Sequence, residues 1–225
     1  MARHPLHLER EITRLKDLIL SLGTKVEENV QNSVKSLVER QTELAMKVIE
    51  SDTEIDQMEV EVEEECLKIL ALYQPVANDL RFIVSILKIN QDLERVGDLS
   101  SNVAERAVFL ASKEDLPIPQ EIHLMADKVK EMLKESLNAF VNADALMARN
   151  VCAKDDEVDD LNREMYVQME EAMRRNPERI SGYIHILSAS RYLERIADHA
   201  TNVAEDVIYL AEGEIIRHRT NMRGE

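Results

Sequence analysis

The chain has no tryptophan, only 3 phenylalanines, 5 glycines and 5 prolines in 225 residues. So few aromatics and turn-formers argue against a sheet protein, whose strands want aromatic and β-branched residues. Only Cys66 and Cys152 are cysteines, far apart and each within an apolar-periodic segment, so both read as small buried hydrophobes rather than a disulfide framework. Basic residues are scarce against acidic ones, 28 to 44, for a net charge of −16. That balance argues against nucleic-acid partners, whose binding needs clustered Lys and Arg, and favours cations or basic protein surfaces. No apolar run approaches the ~20 residues of a membrane span. The opening MARHPLHLER has no apolar signal core, so a cytoplasmic location is expected.

What is abundant is charge and apolar residues at helical spacing: 32% charged, 44% hydrophobic. The prolines mark joints at Pro5, Pro75, Pro117, Pro119 and Pro177. Between them the apolar period is about 3.6 residues throughout. It predicts six helices, over 6–50, 52–73, 77–112, 119–151, 155–175 and 178–212. Ser51 or Asp52 is the expected cap of the second, Leu72 lies on its expected core face, and Ala143 and Leu146 on that of the fourth. Gly213 is expected to end the sixth, with a frayed tail from Glu214. Lys113–Gln120 is the expected linker. The fold class is all-α: two tandem antiparallel three-helix bundles, 1–113 and 114–225.

The halves are an internal repeat. LERVGDLSSNVAERAVFL at 93–110 recurs as LERIADHATNVAEDVIYL at 193–210, an offset of 100 residues without a gap. The second helices align at an offset of 103, Asp52 with Asp155 and Asp56 with Asp159.

The repeated polar residues point away from the core. On a wheel with Leu93 at zero, the apolar face centres at about 310°, while Glu94, Asp98 and Asn102 fall at about 100°, 140° and 180°. Glu194, Asp198 and Asn202 do the same. Folding each hairpin about its turn, at Pro75 or between Asn176 and Pro177, brings Asp56 level with Glu94 and Asp52 level with Asp98. It likewise brings Asp159 level with Glu194 and Asp155 level with Asp198. Carboxylates at one level repel, by about 1 kcal/mol per close pair even in water, and raise each other's pKa unless a cation sits among them. The arrangement occurring twice favours a cation over plain surface acidity, although single acidic pairs are common with 44 acids. An all-oxygen donor set suits iron, manganese, magnesium or calcium rather than zinc. His199, whose counterpart is Leu99, reads as a local surface histidine, and Arg95 and Arg195 as salt-bridge partners of nearby acids.

With LERVGDLSSNVAE (93–105), YLERIADHATNVAE (192–205) and QPVANDLRFIVSILK (74–88), nearly the whole chain resembles the PhoU family of bacterial phosphate-transport and phosphate-signalling regulators. The family's paired acidic motifs match Asp52/Asp56, Glu94/Asp98, Asp155/Asp159 and Glu194/Asp198, and some members hold multinuclear iron clusters there. The resemblance implies a cytoplasmic, non-catalytic regulator that restrains the phosphate-starvation response. Its implied partners are phosphate ABC transporter components and a membrane sensor histidine kinase, with a homodimer as a further association. QPVANDLR has no good copy in the second half. Asp79 and Arg81 are therefore either a one-sided partner contact or an N-cap and a surface salt bridge. The competing functional class is a carboxylate-metal enzyme or plain metal-binding bundle outside phosphate signalling. The absence of a nucleophile–base pair and of a Gly-rich phosphate loop opposes an enzyme.

Overall fold

In a computed structural model, residues 4–113 and 116–213 are described. Six long helices follow in chain order: α1 (His4–Val38), α2 (Thr42–Tyr73), α3 (Ala77–Ala111), α4 (Gln120–Asn142), α5 (Ala145–Arg175) and α6 (Ile180–Glu212), with one 3₁₀ turn at Pro177–Arg179 before α6. There is no strand among the described residues. The helices α1, α2 and α3 pack on one another, as do α4, α5 and α6. The halves meet along α3 against α6, and α1 touches α4. One continuous apolar core runs through both bundles. The tail expected to fray from Glu214 lies outside the described residues.

Two helix boundaries differ from the periodicity reading. The first hairpin turns at 39–41, not at 51, and the second at 143–144, not beyond 151. The apolar period runs on across both turns, so it carried no sign of the break. Both turns use a left-handed residue that is not glycine, Arg40 (φ 56°) and Ala143 (φ 49°). Arg40 is held there by its own side chain, whose guanidinium donates to the carbonyls of Leu110 (2.5 Å) and Lys113 (3.0 Å) at the end of α3, and to Leu116. After Ala143, Asp144 caps α5 by accepting from the amides of Leu146 and Met147, both at 3.0 Å. Ser51 and Asp52 are therefore mid-helix, not caps. Ser51 instead exchanges hydrogen bonds with Asn29 of α1. Ala143 lies in the exposed turn, and Leu146 and Leu72 are solvent-exposed rather than core. Gly213 does end α6, at φ 75°, its amide donating to Tyr209 O at 2.9 Å.

The register of each hairpin is fixed by packing and by one equivalent polar contact. The Asn90 amide donates to Glu59 O at 2.9 Å across α2–α3, and Ser190 donates to Asn162 Oδ1 at 2.7 Å across α5–α6. Ile55, fully buried between Asp52 and Asp56, presses on Gly97, next to Asp98; a Cβ on Gly97 would lie 3.0 Å from Ile55 Cγ2. The repeat offsets put Val158 and Ala197, both fully buried, at the equivalent positions. Side-chain volume is thus kept while one carbon moves across the seam.

This volume balance makes a stability prediction. Transplanting the second pair into the first half, Ile55→Val with Gly97→Ala, should be more stable than the sum of the single changes by about 1 kcal/mol in urea titrations. The branched Gly97→Val alone should overpack the seam and lose about 1–3 kcal/mol. Additive singles would show that these helices do not interlock at this point.

Candidate metal centre

Once α2 and α3 are in register, three carboxylates converge. Asp56, Glu94 and Asp98 each offer an oxygen, and these oxygens lie within 4.8 Å of one another. Ligands about 2.0–2.6 Å from a hard cation are of this order of separation from each other. Asp52 lies one helical turn before Asp56. Its Oδ1 is buried and accepts no hydrogen bond among the described residues. An orphaned carboxylate oxygen beside a carboxylate trio is what a bound cation would satisfy, so the residues present fit an oxygen-ligated metal.

The stripe is less outward than the helical wheel implied. Glu94 and Asp98 keep 26% and 38% of their side chains exposed, because α2 closes over one side of them. Burial raises the pKa of Asp52, helped by Asp98 and Asp56 and opposed by the Ser101 hydroxyl. Burial likewise raises Glu94, with Asp98 adding to it. Arg95 pairs with both Glu94 (3.5 Å) and Asp98 (3.4 Å), as its spacing suggested.

The second hairpin brings Asp155, Asp159, Glu194 and Asp198 into one electrostatic group. Asp155 is pushed up to about 6, first by burial and then by Asp198 and Asp159. Asp198 is also pushed up to about 6, by burial, Glu194 and Asp159. Glu194 is raised by burial and Asp159. No trio here meets the 4.8 Å spacing; among the described residues only the first-half trio does.

The two asparagines part company. Asn102 Nδ2 donates to Asp98 O (2.8 Å), leaving its Oδ1 as the atom suited to a cation. Asn202 Nδ2 instead turns to Asp92 Oδ1 of α3, at 3.2 Å. His199 is not a simple surface residue: its Nδ1 lies 2.8 Å from the same Asp92 oxygen, bridging the halves. Periodicity could not find this pair, because it joins helices from different repeats. The hydroxyls of Ser101 and Thr201, beside Asp52 and Asp155, were legible as equivalent positions of the repeat. Asp79 sits in the first turn of α3 rather than at its cap, which Val76 occupies. Arg81 lies over the Tyr209 ring, 5.9 Å from its centroid, and against Gly213, so it ties α3 to the end of α6.

The PhoU domain model matches twice, over residues 19–107 and 122–207. The chain belongs to the PhoU family. A phosphate-specific transport system accessory protein PhoU homolog of Aquifex aeolicus is 40% identical over 212 residues, 94% of this chain and 96% of that protein. A homolog of the same description from Pseudomonas aeruginosa is 40% identical over 92% of this chain and 86% of its own length. The crystal structure of PhoU from P. aeruginosa superposes with a TM-score of 0.88 at 39% identity, covering 92% of this chain and 99% of that one. The phosphate transport system regulatory protein PhoU from Streptococcus pneumoniae gives 0.84 at 30% identity, covering 92% and 98%. Each of these matches spans both PhoU repeats.

The raised carboxyls set a pH dependence for the metal-free protein. Asp155 and Asp198 have folded-state values of about 6 against an ordinary 3.8, so the folded state binds their protons more tightly than the unfolded one. Their contribution to stability is full below about pH 4 and is lost as pH rises through about 6. In chelator, the urea midpoint of the parent should fall over that window more steeply than that of Asp155→Asn/Asp198→Asn. Equal slopes would mean that these carboxyls are not perturbed.

Proposed function

We propose that this chain is a cytoplasmic regulator of phosphate homeostasis. It would couple a phosphate ABC transporter to a membrane sensor histidine kinase and restrain uptake and the starvation response when phosphate is plentiful. The observation that carries this reading is the family match running through both repeats, with a carboxylate hairpin in each. The relatives named as transport-system accessory and regulatory proteins support the same direction. No described helix is long and apolar enough to cross a membrane, so contact with membrane components would be made from outside the bilayer.

Within this reading the acidic hairpins are cation sites of a scaffold. Asp52, Asp56, Glu94 and Asp98, with Asn102, would hold iron, manganese, magnesium or calcium in the first half. Asp155, Asp159, Glu194 and Asp198 would do so in the second, with Asn202 needing to turn from Asp92 to join. A bound cation would neutralise carboxylates that otherwise repel, and would set the charge of the face a partner meets. We read the protein as non-catalytic. Both thiols are pushed up by burial, Cys66 to about 12 and Cys152 to about 11, so neither is a ready nucleophile.

Two measurements separate these statements. Metal analysis of protein purified without chelator should find more metal than in Glu94→Ala/Asp98→Ala/Glu194→Ala/Asp198→Ala; equal content would remove the cation from the account. Deleting the gene should derepress phosphatase secretion and phosphate uptake in phosphate-replete cells. Unchanged levels would contradict the regulatory role, whatever the metal content.

A further inference from the structure

Most exposed apolar residues in one half have a charged counterpart in the other. Val60 corresponds to Arg163, Leu67 to Glu170 and Leu72 to Arg175, while Tyr166 and Val167 correspond to Glu63 and Glu64. Residues 80 and 84 break this pattern. Leu80 is 39% exposed and its counterpart Ile180 is 40% exposed; Val84 is half-buried and its counterpart Ile184 is 50% exposed. Leu87 and Leu187, one turn further on, are both partly buried against the core. Both halves therefore show solvent an apolar strip of the same spacing, although their other exposed apolar positions have diverged.

Each strip runs toward the carboxylates, with the exposed Gln91 between them on α3 and the exposed Arg191 between them on α6. Positions 80, 84, 87, 94 and 98 share one side of α3, and 180, 184, 187, 194 and 198 share one side of α6. At 1.5 Å per residue, Glu94 lies roughly 15 Å beyond Val84, and Glu194 roughly 15 Å beyond Ile184. A neighbouring helix widens each strip with a residue on its acidic side: Leu67 of α2 in one half, Tyr166 of α5 in the other. A single helix matches an apolar track three residues long that runs toward clustered carboxylates. It is an amphipathic helix with apolar residues at i, i+4 and i+7 and Lys or Arg one to two turns beyond.

We infer that each hairpin face is a docking groove for such a basic amphipathic helix of a partner protein, and that a divalent cation on the carboxylates competes with its basic end. The competition clause rests on the cation reading proposed above; the docking clause rests on the strips. Apolar contacts would supply affinity, while the carboxylates would set register and direction. Two grooves of the same apolar spacing on one chain suit a partner that presents the helix twice, the α6 groove being the less acidic because Arg191 stands where α3 has Gln91.

A fluorescent synthetic helix of about 16 residues tests this, with leucines at i, i+4 and i+7 and lysines at i+11 and i+14. It should bind the chelated full-length protein. Leu80→Ser/Val84→Ser/Ile180→Ser/Ile184→Ser should weaken binding about tenfold or more, as should Glu94→Gln/Asp98→Asn/Glu194→Gln/Asp198→Asn. Manganese should displace the helix from the parent and still bind the serine variant, whose unchanged thermal melt would exclude misfolding. Serine substitutions that leave affinity within about twofold would overturn the docking proposal. So would equal binding of a control helix with its leucines rotated off the lysine face. Manganese that binds nowhere would remove the competition clause and the cation reading, while loss of peptide affinity in the serine variant would still support the docking groove.

Discussion

Packed hairpins hold like charges at one level, and much of the molecule is arranged around that constraint. On α2 and α3, Ile55 presses on Gly97 and thereby sets Asp56 opposite Glu94 and Asp98. Left to themselves, the acids would spread apart into water. The apolar seam prevents this, because separating the helices would expose buried residues on both sides of the pair. The cost appears as carboxyls that hold protons near pH 6 in the second half and as an orphaned buried oxygen on Asp52 in the first. Either a proton or a cation relieves it. At neutral pH, above those values, a cation is the more effective remedy.

Both halves carry a carboxylate hairpin, closer-set in the first, and they differ most where they meet. At the α3–α6 seam His199 and Asn202 share Asp92, and buried Asp206 pairs with Lys88 at 3.3 Å. The counterparts of these residues are Leu99, Asn102, Tyr192, Arg106 and Ser188, which do not reproduce the pairs. The reason is geometric. A seam between two copies needs each polar pair only once, so one copy supplies the acid and the other its partner. An unpaired Asp206 at that depth would carry a heavy desolvation penalty. The seam therefore fixes how the two acidic faces sit relative to each other.

How much of this was legible from residues alone depended on the signal involved. The six helices, the repeat, the proline-centred turns and the hairpin register follow from spacing, and the structure agrees with them. The turns at Arg40 and Ala143 did not show, because an unbroken apolar period crosses both and neither has the glycine that a left-handed turn usually announces. Asp144 was a readable cap, masked by counting Leu146 into a core stripe it does not join. The wheel placed Glu94 and Asp98 away from their own helix's core, but it could not see α2 closing over them. The His199–Asp92 contact lies between repeats, where alignment of one half on the other has nothing to say.

The fold forces these carboxylates together, and in the proposed reading a cation resolves the conflict. Carbon-13 NMR titration of the Asp155 and Asp198 carboxyls measures it most directly. In chelator their apparent pKa values should lie near 6. With saturating calcium they should fall below the ordinary 3.8, because a neighbouring cation favours the ionised form. Ordinary values in chelator, unmoved by calcium, would contradict this reading.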